Sequence, residues 1–340
     1  MFFAACCLID DDLSVCGEEL TIDYDLQLHT ELSVQLQTEL AAETDAPVRR
    51  ALEKWLEPVF TDRAKDIDLR FYSEEQDDIR KQIQEVINDN RTSYTLKLPM
   101  ESYMHLAVAN IEDNREVSMT GGAHSATMEL RLPDKKEVGS LNTGVFTARL
   151  PMHVNEQTRH FDVHLYMITA AVALVIDTTG CDSVTALSAT MAGSACSFSV
   201  RDSVFSYAEE RTMLFEQVPM LDMTQNRTTA KLTNSEAHQQ RSSSTATLSN
   251  SEAVSYACLA TVGYATHDDM PWSVTVTATL TDNRHTTTTL TVKEPLKAGT
   301  LRIIKLPMNK KGGLEPDEDQ EVGASVKLDW NDGGEHEVEM

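Results

Sequence analysis

Apolar and polar residues alternate with a period of two along most of this chain, and that period belongs to strands. Leu20, Ile22, Tyr24, Leu26 and Leu28 interleave with Thr21, Asp23, Asp25 and Gln27. One face of such a segment meets a core and the other, acidic face meets water, as in a half-buried antiparallel strand. Ile67, Leu69 and Phe71 repeat the pattern, as do Tyr94, Leu96 and Leu98, then Met104, Leu106 and Val108, then Met128, Leu130 and Leu132.

Two segments of the first half carry a helical spacing instead. Val48, Leu52, Trp55, Leu56 and Val59 fall on one helix face, with Pro47 suited to the first turn and Pro58 ending it. Ile79, Ile83, Val86 and Ile87 recur in the same way between Asp77 and Asn88, which predicts a second short helix. Both apolar stripes read as packing faces against a sheet.

The second half is almost wholly strand-like. Phe161, Val163, Leu165 and Met167 alternate, and Ala170, Val172, Leu174 and Ile176 continue in a denser apolar run suited to a central strand covered on both faces. Val274 to Leu280, the turn residues Thr281, Asp282 and Asn283, and Thr286 to Val292 predict a hairpin. Val322, Ala324, Val326, Leu328 and Trp330 precede Asn331 to Gly334, whose turn chemistry folds the short His336 to Met340 strand back on its own neighbour. Pairing with another chain is the alternative for this end. The stretch 225–251, rich in Thr, Ser, Asn and Gln, and the stretch 309–321 read as mobile connections.

The chain has 340 residues, which suggests two domains, and the polar bridge from Pro151 to Arg159 is the natural division. The expected organisation is a tether over 1–17, one β-sandwich domain over 18–155 and a second over 156–340. A net charge of −25, from 29 basic and 54 acidic residues, repels phosphate backbones and argues against nucleic acid as a partner. The most apolar stretch, Met167 to Ile176, falls far short of the roughly 18 residues that a membrane-spanning helix needs. Cys181, Cys196 and Cys258 stand isolated and read as buried thiols.

At the start of the chain, Ala4 and Ala5 stand before Cys6 and Cys7, with Asp10, Asp11 and Asp12 following. A small residue before a cysteine resembles the lipobox of a bacterial lipoprotein, and Cys6 is the lipidation candidate; a pair of buried thiols is the alternative. A diacylglycerol there would bury two acyl chains at about 0.8 kcal/mol per methylene, enough for stable anchoring.

Catalytic signatures are missing from the sequence. No GxSxG elbow, HExxH, P-loop or CxxC occurs, which leaves no catalytic, cofactor-binding or metal-binding residue to name and argues against a small-molecule substrate. His160 and His164 lie on one face of a strand but roughly 13 Å apart, too far to share a metal. The acids Glu315, Asp317, Glu318, Asp319 and Glu321 lack the order of a calcium loop and read as a charged surface segment. Of three tryptophans, Trp55 and Trp330 sit in core-facing patterns, leaving Trp272 beside Pro271 as the one available to stack on a glycan.

Taken in order, CLIDDDLSVCGEELTIDYDL, DIDLRFYSEE, YTLKLPMESYMHLAVAN, HFDVHLYMITAAVALVID and PLKAGTLRIIKLP with VKLDWNDGGEHEVEM resemble the Bacteroidales FimB/Mfa2 family of fimbrial anchor subunits. The resemblance implies a mainly β protein of two tandem transthyretin-like β-sandwich domains, here with two short helices in the first. It further implies an outer-membrane lipoprotein held by Cys6, in which Asp10 to Asp12 serve as an export signal or equally as a solvated linker. Its expected role is a non-enzymatic anchor or accessory subunit of a fimbrium, docking fimbrillin-type subunits by β-strand addition. A surface lipoprotein that binds glycans or a host protein is the second reading.

Overall fold

The structure is a computed structural model that describes residues 19–28, 40, 46–61, 63–75, 78–87, 91–121, 126–220, 246–247, 256–315, 322–329 and 335–338. It is mainly β, with one helix among the described residues. Among the described residues, no helix is long and apolar enough to cross a membrane.

The first sheet contains seven strands: β1 (Glu19–Leu28), β2 (Asp66–Ser73), β3 (Ile79–Val86), β4 (Ser93–Pro99), β5 (Ser102–Ala109), β9 (Phe146–His153) and β10 (His160–Met167). Their spatial order is β3-β2-β5-β9-β10-β1-β4. β10 turns the corner of this sheet: its last two residues pair with β9, while residues 160–165 run parallel to β1. The strand that opens the second half of the sequence therefore completes the sheet of the first half.

Because β10 bends the sheet, β1 comes to face β2 and β5 across a core, although two strands separate it from β5 in the ladder. Tyr24 of β1 meets Phe71 of β2 edge-on at 6.1 Å, and Phe71 stacks on His105 of β5 at 4.2 Å. The Tyr24 hydroxyl and His105 Nε2 are hydrogen-bonded at 2.7 Å, and His105 Nδ1 bonds the Arg70 carbonyl at 3.0 Å. Burial favours the neutral imidazole, in which Nδ1–H donates to the carbonyl and Nε2 accepts from the phenol. His105 is fully buried, and burial pushes its pKa down to about 4. Alternation placed Tyr24 on the core face; nothing in the sequence singled out His105 as its partner.

The helix α1 (Ala46–Leu56) forms where its spacing predicts, with Val48, Ala51, Leu52 and Leu56 buried. Ile79–Val86 departs from the expected second helix: it is β3, an edge strand paired with β2. A spacing of four is even, so Ile79 and Ile83 share a face in a strand as well as in a helix. The vacant edge of β2 decides between them, since it supplies backbone partners that an isolated turn lacks. Val86, which a helix would have buried, is 52% exposed.

Beyond Met167 the chain builds two more sheets. One, in the order β16-β18-β11-β21, contains β11 (Thr169–Asp177), β16 (Glu216–Gln217), β18 (Tyr256–Tyr264) and β21 (Leu301–Pro307). β11 is buried on both faces, as its apolar run requires. The other follows the order β23-β22-β20-β19-β12-β15-β8, from β8 (Glu137–Val138), β12 (Val184–Ala192), β15 (Thr212–Leu214), β19 (Trp272–Leu280), β20 (His285–Val292), β22 (Val322–Asp329) and β23 (Glu335–Val338), with β17 (Ala246–Thr247) beside β12. A small sheet joins β6 (Ser118–Thr120) and β7 (Glu129–Arg131) to β13 (Ser197–Ser199) and β14 (Val204–Ser206).

The β19–β20 hairpin forms as expected, with Asn283 at φ 61° in its turn. β22 pairs with β20 and folds back onto β23, so this end stays in its own sheet; the Asn331 to Gly334 turn lies outside the described residues. The 225–251 stretch also lies outside them, apart from β17. Residues 309–315 differ from the mobile connection expected there. Asn309 Oδ1 accepts from the Lys311 and Gly313 amides, and Met308 bridges Leu314, so this part is a hydrogen-bonded turn.

Candidate functional site: an open strand edge

β21 lies at the end of its sheet, paired in parallel with β11 from Ala171↔Leu301 to Asp177↔Pro307 without a bulge. The Ala171 amide donates to Thr300 O at 2.9 Å, and the Met308 amide donates to Asp177 O at 2.9 Å. Successive residues of a strand offer their backbone to opposite sides, so these two bonds fix the whole ladder. Arg302, Ile304 and Leu306 present N–H and C=O to β11, whereas Leu301, Ile303 and Lys305 present theirs to the opposite side. Lys305 has a partner of its own, and the Glu315 amide donates to Pro307 O on that side at 3.0 Å, so the part that no described strand meets is Leu301 and Ile303.

Packing keeps this edge rigid. Ile304 and Leu306 are each 1% exposed, and Leu301 and Ile303 are half-buried against the core. At the far end, a Cβ on Gly180 would lie 2.1 Å from Met308 O, so only glycine lets the turn after β11 close on the end of β21. A fixed, bulge-free row of backbone groups is what an added strand requires.

The other exposed edges differ. β3 carries Arg80, Lys81 and Glu85, and its pairing with β2 shifts register at Phe71/Tyr72, both features that blunt an edge. β4 pairs only with β1 among the described strands and turns Tyr94, Leu96 and Leu98 inward, which makes it the second long edge. β6, β14 and β16 are two or three residues long.

The residues singled out from the sequence fall in several places. Cys6 and Asp10 to Asp12 lie outside the described residues. His160 does not approach His164 as a ligand pair; the parallel β1–β10 register instead brings its Nε2 within 3.7 Å of Asp25 Oδ2 and 3.5 Å of Asp162 Oδ1. All three groups are on the surface and form an ion-pair triad when the imidazole is protonated. Periodicity could not show it, because the two strands are far apart in sequence. Glu315 accepts from Asn309 Nδ2, and the other acids of its cluster lie outside the described residues.

Trp272 is not available for stacking. It is 1% exposed, its Nε1–H donates to Glu294 O at 2.8 Å, and Gly193, at φ 99°, makes room for it. The three isolated cysteines are buried free thiols, and burial pushes Cys258 up to about 12. A polar cleft of about 450 Å³ opens among Lys65, Glu112, Arg115, Asn142 and Glu216, with charges of both signs on its rim.

No protein-family model matches the chain, and no curated protein matches it in sequence. Among solved structures, a candidate adhesin of Bacteroides thetaiotaomicron is similar over 92% of this chain and 96% of its own, with a TM-score of 0.52 at 11% identity. A candidate adhesin of Bacteroides ovatus is similar over 94% and 96%, with a TM-score of 0.52 at 9% identity. This chain shares their fold. The fimbrial anchor protein Mfa2 of Porphyromonas gingivalis is also similar, over 94% of this chain and 99% of its own, with a TM-score of 0.47 at 11% identity.

Proposed function

We propose that this protein is a non-enzymatic cell-surface subunit that anchors or caps a fimbrium, held to the outer membrane by a lipid on Cys6 and joined to fimbrillin-type subunits by strand addition. The observation that carries the reading is the place of β21 at the end of its sheet, where Leu301 and Ile303 turn their backbone groups away from β11 and no described strand meets them, because a protein whose task is to receive another chain needs backbone groups held ready for it. The shared fold with candidate adhesins supports a surface role. The order of motifs that resembles fimbrial anchors supports the specific one.

Two measurements test it. Mass spectrometry of the protein from its native membrane should find an N-terminal fragment carrying a diacylglycerol on Cys6; an unmodified Cys6 would discard the anchor. Deleting the gene should release fimbriae into the medium or change their length, and unchanged, cell-attached fimbriae would refute the structural role. The polar cleft supports the second reading, a surface glycan receptor. Arg115→Ala combined with Asn142→Ala should leave fimbriae intact and abolish glycan-array signal if that reading is correct.

A further inference from the structure

The parallel register of β1 and β10 sets Asp25 directly opposite Asp162, and Asp23 directly opposite His160. Their neighbours along the two strands, Tyr24, Leu26, Phe161 and Val163, are buried, so alternation turns these four polar side chains outward on one face. Carboxylates directly opposite one another destabilise a strand pair. Among the described residues, no lysine or arginine forms an ion pair with Asp23, Asp25 or Asp162 to offset that repulsion. The imidazole of His160 is the group that reaches both Asp25 and Asp162.

We propose that Asp25, His160 and Asp162 bind one divalent transition-metal ion of the zinc type, which clips β1 to β10. Donors about 2.1 Å from a single ion stand roughly 3–3.5 Å from one another. Here the three donor atoms all lie within 4.8 Å of one another, with the ring nitrogen 3.7 Å from Asp25 Oδ2 and 3.5 Å from Asp162 Oδ1, so small side-chain rotations close the set. The imidazole selects the metal: nitrogen beside carboxylate suits zinc and its neighbours, whereas calcium and magnesium take oxygen shells. The ion supplies the positive charge that the opposed carboxylates lack, and a chain of net charge −25 concentrates cations around it.

Three protein donors leave a further position for water, as in an exchangeable site. One donor comes from β1 and two from β10, so the complete set exists only while the strands are paired, and the ion stabilises the folded chain by linkage. The inference does not depend on the anchor reading.

The test titrates the full, chelator-treated chain with zinc chloride and compares it with His160→Gln and Asp25→Asn, one substitution on each strand. The difference between wild type and variant isolates this site from the six cysteines and the other histidines of the chain. Wild type should take up one more zinc than either variant, or hold that zinc at least about tenfold more tightly, and a roughly tenfold excess of calcium should not displace it. With histidine-labelled protein, the ring signal that disappears in His160→Gln should shift or broaden in the wild-type spectrum as this zinc binds. Zinc should raise the melting temperature of wild type more than that of either variant, while all three melt alike without metal, since all the replaced groups lie at the surface.

Zinc uptake unchanged by either substitution, a His160 signal that stays in place, or displacement by calcium would overturn the proposal. Sensitivity to His160→Gln without sensitivity to Asp25→Asn would remove the clip between strands and also overturn it. So would one zinc shared by two chains in a zinc-dependent dimer, which would place the site between copies.

Discussion

His105 gives the core of the seven-stranded sheet an acid limit that a single substitution should remove. In the folded protein, burial holds its pKa near 4, and the Arg70 carbonyl offsets that only in part. In the unfolded chain the imidazole titrates near 6.5. The folded value is the lower one, so the unfolded state binds the proton more readily and stability falls as pH drops through that window. The contribution is complete above about pH 6.5, is lost progressively towards pH 4, and changes no further below that. A fall from about 6.5 to about 4, at ~1.4 kcal/mol per pH unit, is worth about 3.4 kcal/mol in all, of which about 2.5 kcal/mol is lost between pH 7.5 and 4.5. A protonated ring has donors at both nitrogens, so the Tyr24 hydroxyl turns to accept from Nε2–H and its own proton loses that acceptor.

Urea unfolding followed by tryptophan fluorescence, at several pH values over that range, measures the loss. His105→Gln keeps one donor and one acceptor but does not titrate, so its curve should lie flatter than wild type by about 2.5 kcal/mol across the range. Other carboxylates cancel in the difference, including Asp66, whose pKa burial raises. His105→Leu provides the same comparison if the amide packs badly. Parallel curves for wild type and both variants would refute the argument.

Three other expectations are simpler to check. Leu52→Ala, at a fully buried helix position, should cost about 2–5 kcal/mol in chemical denaturation. Gly180→Ala forces a methyl against Met308 O and should cost about 1–3 kcal/mol, with amide exchange quickening first along β21. Native Cys258 should resist a thiol-specific disulfide reagent at pH 8 and react once urea unfolds the chain, because it is buried and its pKa is pushed up to about 12.

What could be read from the sequence was whatever depended on near neighbours. Leu20 to Leu28 and Val274 to Leu280 declared themselves as strands because an alternating face has one way to be buried, and Thr281 to Asn283 declared the hairpin through turn chemistry. Ile79 to Val86 misled because its isoleucines satisfy two periods at once, and the choice belonged to β2, a partner the segment does not contain. Trp272 misled because a proline beside it suggested a loop, whereas Gly193 and the Glu294 carbonyl, distant in sequence, bury it. The edge at β21 was hidden for the same reason: PLKAGTLRIIKLP carries no mark of its neighbours, and only the sheet order shows which strand comes last.

The parallel alignment of Asp23 with His160 has a consequence in time. A ribosome adding roughly 5–20 residues per second exposes the first strand for about 7 to 30 seconds before its neighbour across the corner exists. Throughout that interval β4 is the one neighbour that β1 can have, and the turn of the sheet around its corner waits for the strand that makes it.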